Sequence, residues 1–148
     1  MESSATYRIL GEYDAHTARH ITEVLRMTPS TAHEAGDPIP RRPGHTYDRA
    51  AWHLETTPDC GPELADSIQE LLVQLEPVSQ QLWALEAEGY WCNWRCTIGA
   101  RHTDHAAELD RDTQTRLLAL PGELWLDVYS TDDLFIPVTD RTLDQHDT

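Results

Sequence analysis

Apolar and polar residues alternate in four short segments of the chain, which is the pattern of strands that have one covered face. These segments span residues 6–11, 51–55, 90–98 and 123–129. Between them, apolar residues recur at helical spacing over 14–27, 63–88 and 110–120. A last apolar segment, Leu134–Val138, is expected to be a short fifth strand or a docked segment.

Capping residues and prolines set the expected ends of these helices. Asp14 is the predicted N-cap of the first helix, and Pro29 follows its end. The second helix carries the strongest apolar repeat, but Pro77 lies inside it and is expected to kink or split it. Asp110 is the predicted cap of the third helix.

The order strand, helix, strand, helix, strand, helix, strand predicts an α+β fold. Because the strands are amphipathic, we expect a sheet of about four strands, mixed or antiparallel, with helices packed on one face. A ferredoxin-like or related two-layer sandwich has this form. We expect one domain over 1–148, with its core at about 5–138 and a frayed tail at 139–148. Trp91, Trp125 and Tyr129 could then line the open face of the sheet; the alternative is that the 28–50 loop and the C-terminal segment cover it.

Charge is distributed unevenly along the chain. Residues 1–53 hold seven acids and six arginines, whereas residues 54–148 hold nineteen acids and five arginines, a net charge of −14. Between Leu54 and Tyr90 there are eight acids and no arginine. Such a negative surface repels nucleic acid and anionic membranes, and it attracts a basic protein. The alternative is a merely well-hydrated surface.

The long segment 28–50 is rich in proline and glycine and is expected to be an irregular loop. Loops of this length in compact domains are often functional. The loop is less acidic than the rest of the chain, so its basic side chains could converge on an anionic ligand. The candidate ligand-binding residues in the loop and the neighbouring strands are His33, Asp37, Arg41, Arg42, Trp52, His53 and Tyr129. The alternative is an ordinary loop whose charges meet water.

Metal binding and catalysis find little support in the sequence. His16 and His20 have a metal-compatible spacing, but Arg19 lies between them and no acid completes a zinc motif. Cys92 and Cys96 share one face of a strand but lie about 13 Å apart, too far for one metal ion or a disulfide to join them. We therefore expect them to be small apolar residues of the core. The sequence contains no nucleophile motif and no phosphate-binding glycine loop. We therefore expect no metal site, no cofactor and no catalytic residue.

The chain resembles the bacterial family catalogued as domain of unknown function 4279. The resemblance covers residues 5–130 and rests on short motifs in a matching order. These motifs are Gly11, Asp14, Ile21-Thr22, Leu25, Pro29-Ser30, Gly36-Asp37, Trp52-His53-Leu54, Leu72–Pro77 and Leu126–Tyr129. The resemblance implies a small intracellular bacterial α+β domain and no particular reaction. Where family members often have a basic residue, this chain has Glu34 and Ala35.

These features favour a non-enzymatic binding protein of the cytoplasm, such as an immunity protein, antitoxin or regulatory partner. Its basic protein partner is expected to contact the acidic side chains Glu63, Asp66 and Glu70 of the second helix. The alternative is a small-molecule-binding or tailoring protein with a pocket between the 28–50 loop and the sheet. A third possibility is a homodimer that pairs through the aromatic face. We expect neither nucleic acid nor a membrane as a partner.

Overall fold

The computed structural model of the chain describes residues 2–58, 60–61, 63–100 and 106–130. The predicted segment Leu134–Val138 and the predicted tail 139–148 lie outside these residues. The strands are β1 (Glu2–Gly11), β2 (Thr31–His33), β3 (Ala50–Glu55), β4 (Trp91–Ala100) and β5 (Glu123–Ser130). The helices are α1 (Ala18–Leu25), α2 (Leu64–Leu75), α3 (Ser79–Ala87) and α4 (Arg111–Leu118).

The strands form one mixed sheet in the order β2-β3-β1-β4-β5. The central strand β1 is antiparallel to both β3 and β4, whereas β5 is parallel to β4. Helix α4 provides the connection that a parallel pair requires. The predicted α+β class and the mixed sheet are thus confirmed.

Strand β2 was not predicted from the sequence. It lies inside the segment 28–50, which was predicted to be irregular, so that prediction was wrong for its three residues. This strand has only three residues and pairs with β3, so that Thr31 lies opposite His53. Two of its three residues are exposed, which leaves no apolar alternation from which a strand could be predicted. Its pairing with a neighbouring strand therefore decides its conformation.

Helix α1 begins later than the sequence predicts, and its N-cap is Thr17 rather than Asp14. The Thr17 hydroxyl accepts a hydrogen bond from the His20 amide at 3.0 Å. Asp14 instead has a φ of 65°, which places it in the turn after β1. Ala15 and His16 continue this turn through backbone hydrogen bonds to Glu12.

The long second helix is divided at its proline, as predicted. A 3-10 turn over Glu76–Val78, with Pro77 at its start, separates α2 from α3. At the other end of α2, Glu63 and Asp66 form a reciprocal capping box. Asp110 caps α4 by accepting from the Thr113 amide at 2.8 Å, which confirms that predicted cap.

The core lies between one face of the sheet and the helices. Tyr7 and Ile9 of β1, together with Trp52 and Trp94, are almost fully buried against the leucines of α2 and α3. Cys92 and Cys96 face this core as expected, and burial raises their thiol pKa values to about 11 and about 12. The helices therefore cover one face of the sheet and leave the other face open.

The segment between β2 and β3 folds back on itself as an ordered hairpin. The Tyr47 amide donates a hydrogen bond to the Asp37 carbonyl at 2.9 Å, and Pro38 and Thr46 form an isolated bridge. Glu34 joins this hairpin to α1, because its carboxylate accepts from the amides of Ala18 and Arg19 at 2.7 and 3.0 Å. In the described part of the chain, no helix is long and apolar enough to cross a membrane.

Candidate ligand-binding face of the sheet

The open face of the sheet brings polar residues of three strands together near Arg8, beside a tryptophan of a fourth strand. On β1, Arg8 lies opposite His53 of β3 on one side and opposite Asn93 of β4 on the other. One pleat further along β4, about 7 Å away, Arg95 lies opposite Trp125 of β5. The alternation of side chains directs all five of these residues away from the helices.

Two guanidinium groups share one aromatic ring on this face. The guanidinium carbons of Arg8 and Arg95 lie 5.6 and 5.8 Å from the centre of the Trp125 ring, within cation–π range. Burial and the neighbouring charge of Arg95 lower the pKa of Arg8 from its ordinary value. Arg95 is also 3.4 Å from the Asp127 carboxylate, whereas Arg8 forms no ion pair with any described residue.

The amide of Asn93 is a buried polar group of this face whose hydrogen bonds are only partly satisfied. Asn93 is only 1% exposed, and its Oδ1 accepts a hydrogen bond from Nε of Arg8 at 2.8 Å. Its Nδ2 is buried and has no hydrogen-bond partner among the described residues. A buried donor that lacks a partner costs about 1–3 kcal/mol. The fold therefore tolerates an unsatisfied donor directly beside an arginine.

Two histidines extend the polar cluster towards β2. Burial lowers the pKa of His53, and the positive charges of Arg8 and Arg95, together with that of His33 when it is protonated, lower it further. His33 stacks on Tyr47 with ring centres 3.4 Å apart, and burial lowers its pKa despite the nearby Asp37 carboxylate. The lowered pKa values favour neutral imidazoles on this part of the face.

The three aromatic residues expected on the open face do lie there. Trp91, Trp125 and Tyr129 remain 39%, 52% and 43% exposed. A group of exposed aromatic rings is typical of a binding surface, since a partner that covers the rings gains the free energy of their burial. The acids on the same face, Glu55, Glu123 and Asp127, lie nearer its margins.

The structure separates the candidate ligand-binding residues of the sequence into distinct places. His53 and His33 lie on the open face, and Tyr129 lies at the far end of the same face beside a hollow of about 230 Å³. Trp52 points into the core instead, where its indole donates to the Thr22 hydroxyl at 3.1 Å, so it lines no surface.

The loop residues among these candidates also have separate positions. Asp37 accepts from the Glu34 amide at 2.8 Å and so stabilises the start of the hairpin. Arg41 and Arg42 are exposed near the hairpin tip. Between the base of this hairpin and the sheet, Arg49 and Trp91 help to line a hollow of about 280 Å³.

The acidic residues expected to contact a partner lie at the start of α2. Glu63 is exposed, whereas Asp66 is half-buried in the capping box. Glu70 accepts from both the amide and the hydroxyl of Thr57, at 3.0 and 2.7 Å. These carboxylates are thus held in position by the fold.

The histidine pair at the start of α1 has a structural role. His16 Nδ1 accepts from the Glu12 amide at 2.9 Å, and its Nε2 lies 2.9 Å from the carbonyl of Glu88. Both ring nitrogens are therefore occupied, while His20 contacts the Glu88 carboxylate at 3.1 Å. Within the described residues, no group of three or more histidines, cysteines or acids is placed to hold a metal ion.

Arg8, Asn93 and Arg95 were absent from the candidates that the sequence suggested. Their positions in alternating strands do predict that they share a face with Trp91 and Trp125. The sequence alone does not show that β1 lies between β3 and β4, and this pairing is what places Arg8 beside Asn93.

The comparison with known proteins concerns nearly the whole chain. The model of the family described as domain of unknown function (DUF4279) matches residues 1–131, which include all five strands. No curated protein and no solved structure matches the chain. The match confirms the resemblance found in the sequence, and the chain belongs to the DUF4279 family.

Proposed function

We propose that this protein is a binding domain whose ligand contacts the open face of the sheet. The observation that carries the proposal is the cluster of Arg8, Asn93 and Arg95 beside the exposed ring of Trp125. Exposed aromatic rings with polar groups beside them are typical of surfaces that bind a partner or a ligand. These features support a site on the sheet rather than inside a pocket beneath the 28–50 loop.

A pair of tryptophan variants tests this proposal. Trp125→Ala removes the ring from the open face, whereas Trp83→Ala removes a comparably exposed ring (44% against 52%) from α3. Each protein is dialysed against an extract of host metabolites and against a peptide library, and the retained compounds are identified by mass spectrometry. We expect wild type and Trp83→Ala to retain a ligand that Trp125→Ala loses. Equal retention by all three proteins would refute the proposal.

A basic protein partner is a second candidate function. The acidic helix surface formed by Glu63, Asp66 and Glu70 carries charges that hydrogen bonds hold in place, which lowers the entropic cost of docking. Val73, one turn after Glu70, is 65% exposed and offers an apolar contact beside these charges. A basic amphipathic segment fits such a surface.

Neutral variants of similar shape test the second candidate. Asp66→Asn with Glu70→Gln removes two charges; the first change keeps an acceptor for the Glu63 amide, and the second keeps one of the two acceptors for Thr57. Glu12→Gln serves as a control at another exposed acid. We expect the double variant to lose a basic partner that the control retains. We also expect binding by the wild type to weaken as salt increases. Salt-independent binding would exclude this candidate.

A further inference from the structure

The unsatisfied amide of Asn93 gives the open face a defined chemical preference. Resting on the proposed role of this face, we infer that Arg8, Arg95 and Asn93 form an oxyanion site, which binds a carboxylate or phosphate group of the ligand. The inference depends on three features: the orientation of the Asn93 amide, the pairing state of the two arginines and the acids around them.

The orientation of the Asn93 amide follows from its one hydrogen bond. Nε of Arg8 can only donate, so the atom 2.8 Å away must be the carbonyl oxygen Oδ1. A flipped amide would place two donors against each other. Nδ2 is therefore the buried end without a partner, and because it carries only N–H groups, an acceptor atom is what it lacks.

The two arginines leave donors available beside this amide. Arg8 uses Nε for Asn93, and its terminal nitrogens make no ion pair or hydrogen bond with described residues. Arg95 contacts Asp127 at 3.4 Å, which is longer than a strong charge-assisted bond of about 2.7–2.9 Å. Two like charges over one ring repel each other, and an anion placed between them would relieve this repulsion.

The acids on this face do not already fill the role of the anion. Glu123 lies opposite Asn93 in the β4–β5 ladder but forms no hydrogen bond with its amide. Glu55 lies two strands from Arg95, across Thr6. Asp127 is the only acid that contacts either arginine within the described residues, and it competes with the ligand for Arg95.

A titration with simple anions tests the site directly. Inorganic phosphate and acetate are added separately at constant ionic strength, with chloride as the reference, and the side-chain N–H resonances of Asn93 and Trp125 are followed by NMR. We expect saturable shifts of the Asn93 amide with at least one of the two anions. A response to phosphate indicates recognition of a phosphate group, and a response to acetate indicates recognition of a carboxylate.

Four variants connect the shifts to the proposed contacts. Arg8→Gln is expected to weaken anion binding about tenfold to a hundredfold, while Arg19→Gln, at an 84% exposed side chain of α1, leaves it unchanged. Asp127→Asn is expected to tighten binding, because it removes the competing carboxylate. Asn93→Asp preserves the acceptor for Arg8 but adds a negative charge, so it should abolish binding even where Arg8→Gln fails to fold.

Three results would overturn the inference. One is the absence of shifts above the chloride reference, and another is equal anion affinity in wild type and Arg8→Gln. The third is an uncharged ligand that Trp125→Ala loses but Asn93→Asp retains, in which case the open face binds without an oxyanion site. If no compound contacts the open face at all, the proposed function fails together with this inference.

Discussion

At the scale of single residues, two arginines remain close together on a chain whose formal net charge is −15. With so many acids in the sequence, each could have been paired within the fold. Among the residues that the structure describes, Arg95 alone of the two contacts a carboxylate, and Arg8 donates to a neutral amide instead. The positive charge around Arg8 and Arg95 is therefore a local property that the overall composition conceals.

His53 should make the stability of the protein depend on pH. Its folded-state pKa is lowered, so below about pH 6.5 the unfolded chain takes up a proton that the folded chain resists. This contribution to stability is present above that pH and is lost as the pH falls through the window towards the folded pKa. We expect His53→Gln to lose less stability than the wild type on acidification, as measured by urea unfolding.

The same experiment contains its own check for other groups. His33 also has a lowered pKa, and its contribution remains in both proteins, so only the difference between them reports on His53. A difference that does not change with pH would show that Arg8 and burial have no effect on the His53 proton.

Gly122 is the residue at which a single methyl group should disturb the site most. Its φ is 127°, and an added Cβ would lie 3.1–3.2 Å from backbone atoms of Cys92 and Asn93. We expect Gly122→Ala to lower the free energy of unfolding by about 2–4 kcal/mol, as measured by urea denaturation. Gly44 has a positive φ of 81° but open space around it, so Gly44→Ala should lower the free energy of unfolding by only about 1–2 kcal/mol. Equal losses would contradict the close approach of β4 to the start of β5.

At the scale of elements, one side chain connects the hairpin to a helix. The carboxylate of Glu34 accepts from the first two amides of α1, which have no partner within that helix. The turn before the hairpin thus supplies a carboxylate to the N-terminus of α1, where a negative charge is favourable. Arg41 and Arg42 consequently lie on a hairpin that is fastened at its base.

Removing this connection should loosen both elements. We expect Glu34→Ala to lower the free energy of unfolding by about 1–2 kcal/mol. We also expect it to speed amide hydrogen exchange over residues 34–49, as measured by mass spectrometry. Glu23→Ala is the control, because it removes only an exposed pair with Arg19 on the same helix, worth about 0.3–0.5 kcal/mol. Unchanged exchange in the hairpin would mean that its backbone hydrogen bonds suffice alone.

At the scale of the whole molecule, the unequal distribution of charge should be visible in the response to salt. Raising the salt concentration from about 0.01 M to about 0.15 M shortens the screening length from about 30 to about 8 Å. Because repulsion among the acids outweighs the few ion pairs, we expect the midpoint of urea unfolding to rise. A fall would indicate that pairs such as Arg116–Glu76, at 2.7 Å, contribute more than the repulsion.

Much of the fold could be predicted because local patterns agree with it. Alternation predicted the strands around Tyr7, Trp94 and Leu126, and Pro77 predicted the division of the second helix. Strand β2 could not be predicted, because its three residues are too few to show an alternation of apolar and polar positions. The cap at Thr17 was missed because Asp14 is equally suited by type, and only its positive φ excludes it.

The sequence by itself determined the α+β class, the buried thiols and the membership of the family, whereas the exposure of the aromatic face became evident only in the structure. The first three properties follow from the periodicity, residue type and order of nearby residues, all of which are local. The neighbours of Arg8 were decided only by the tertiary structure, because strands 85 residues apart had to pair before Arg8 could reach Asn93. The same pairing turned Trp52 into the core and left the Asn93 amide unsatisfied, so the candidate site depends on strand order rather than on any motif.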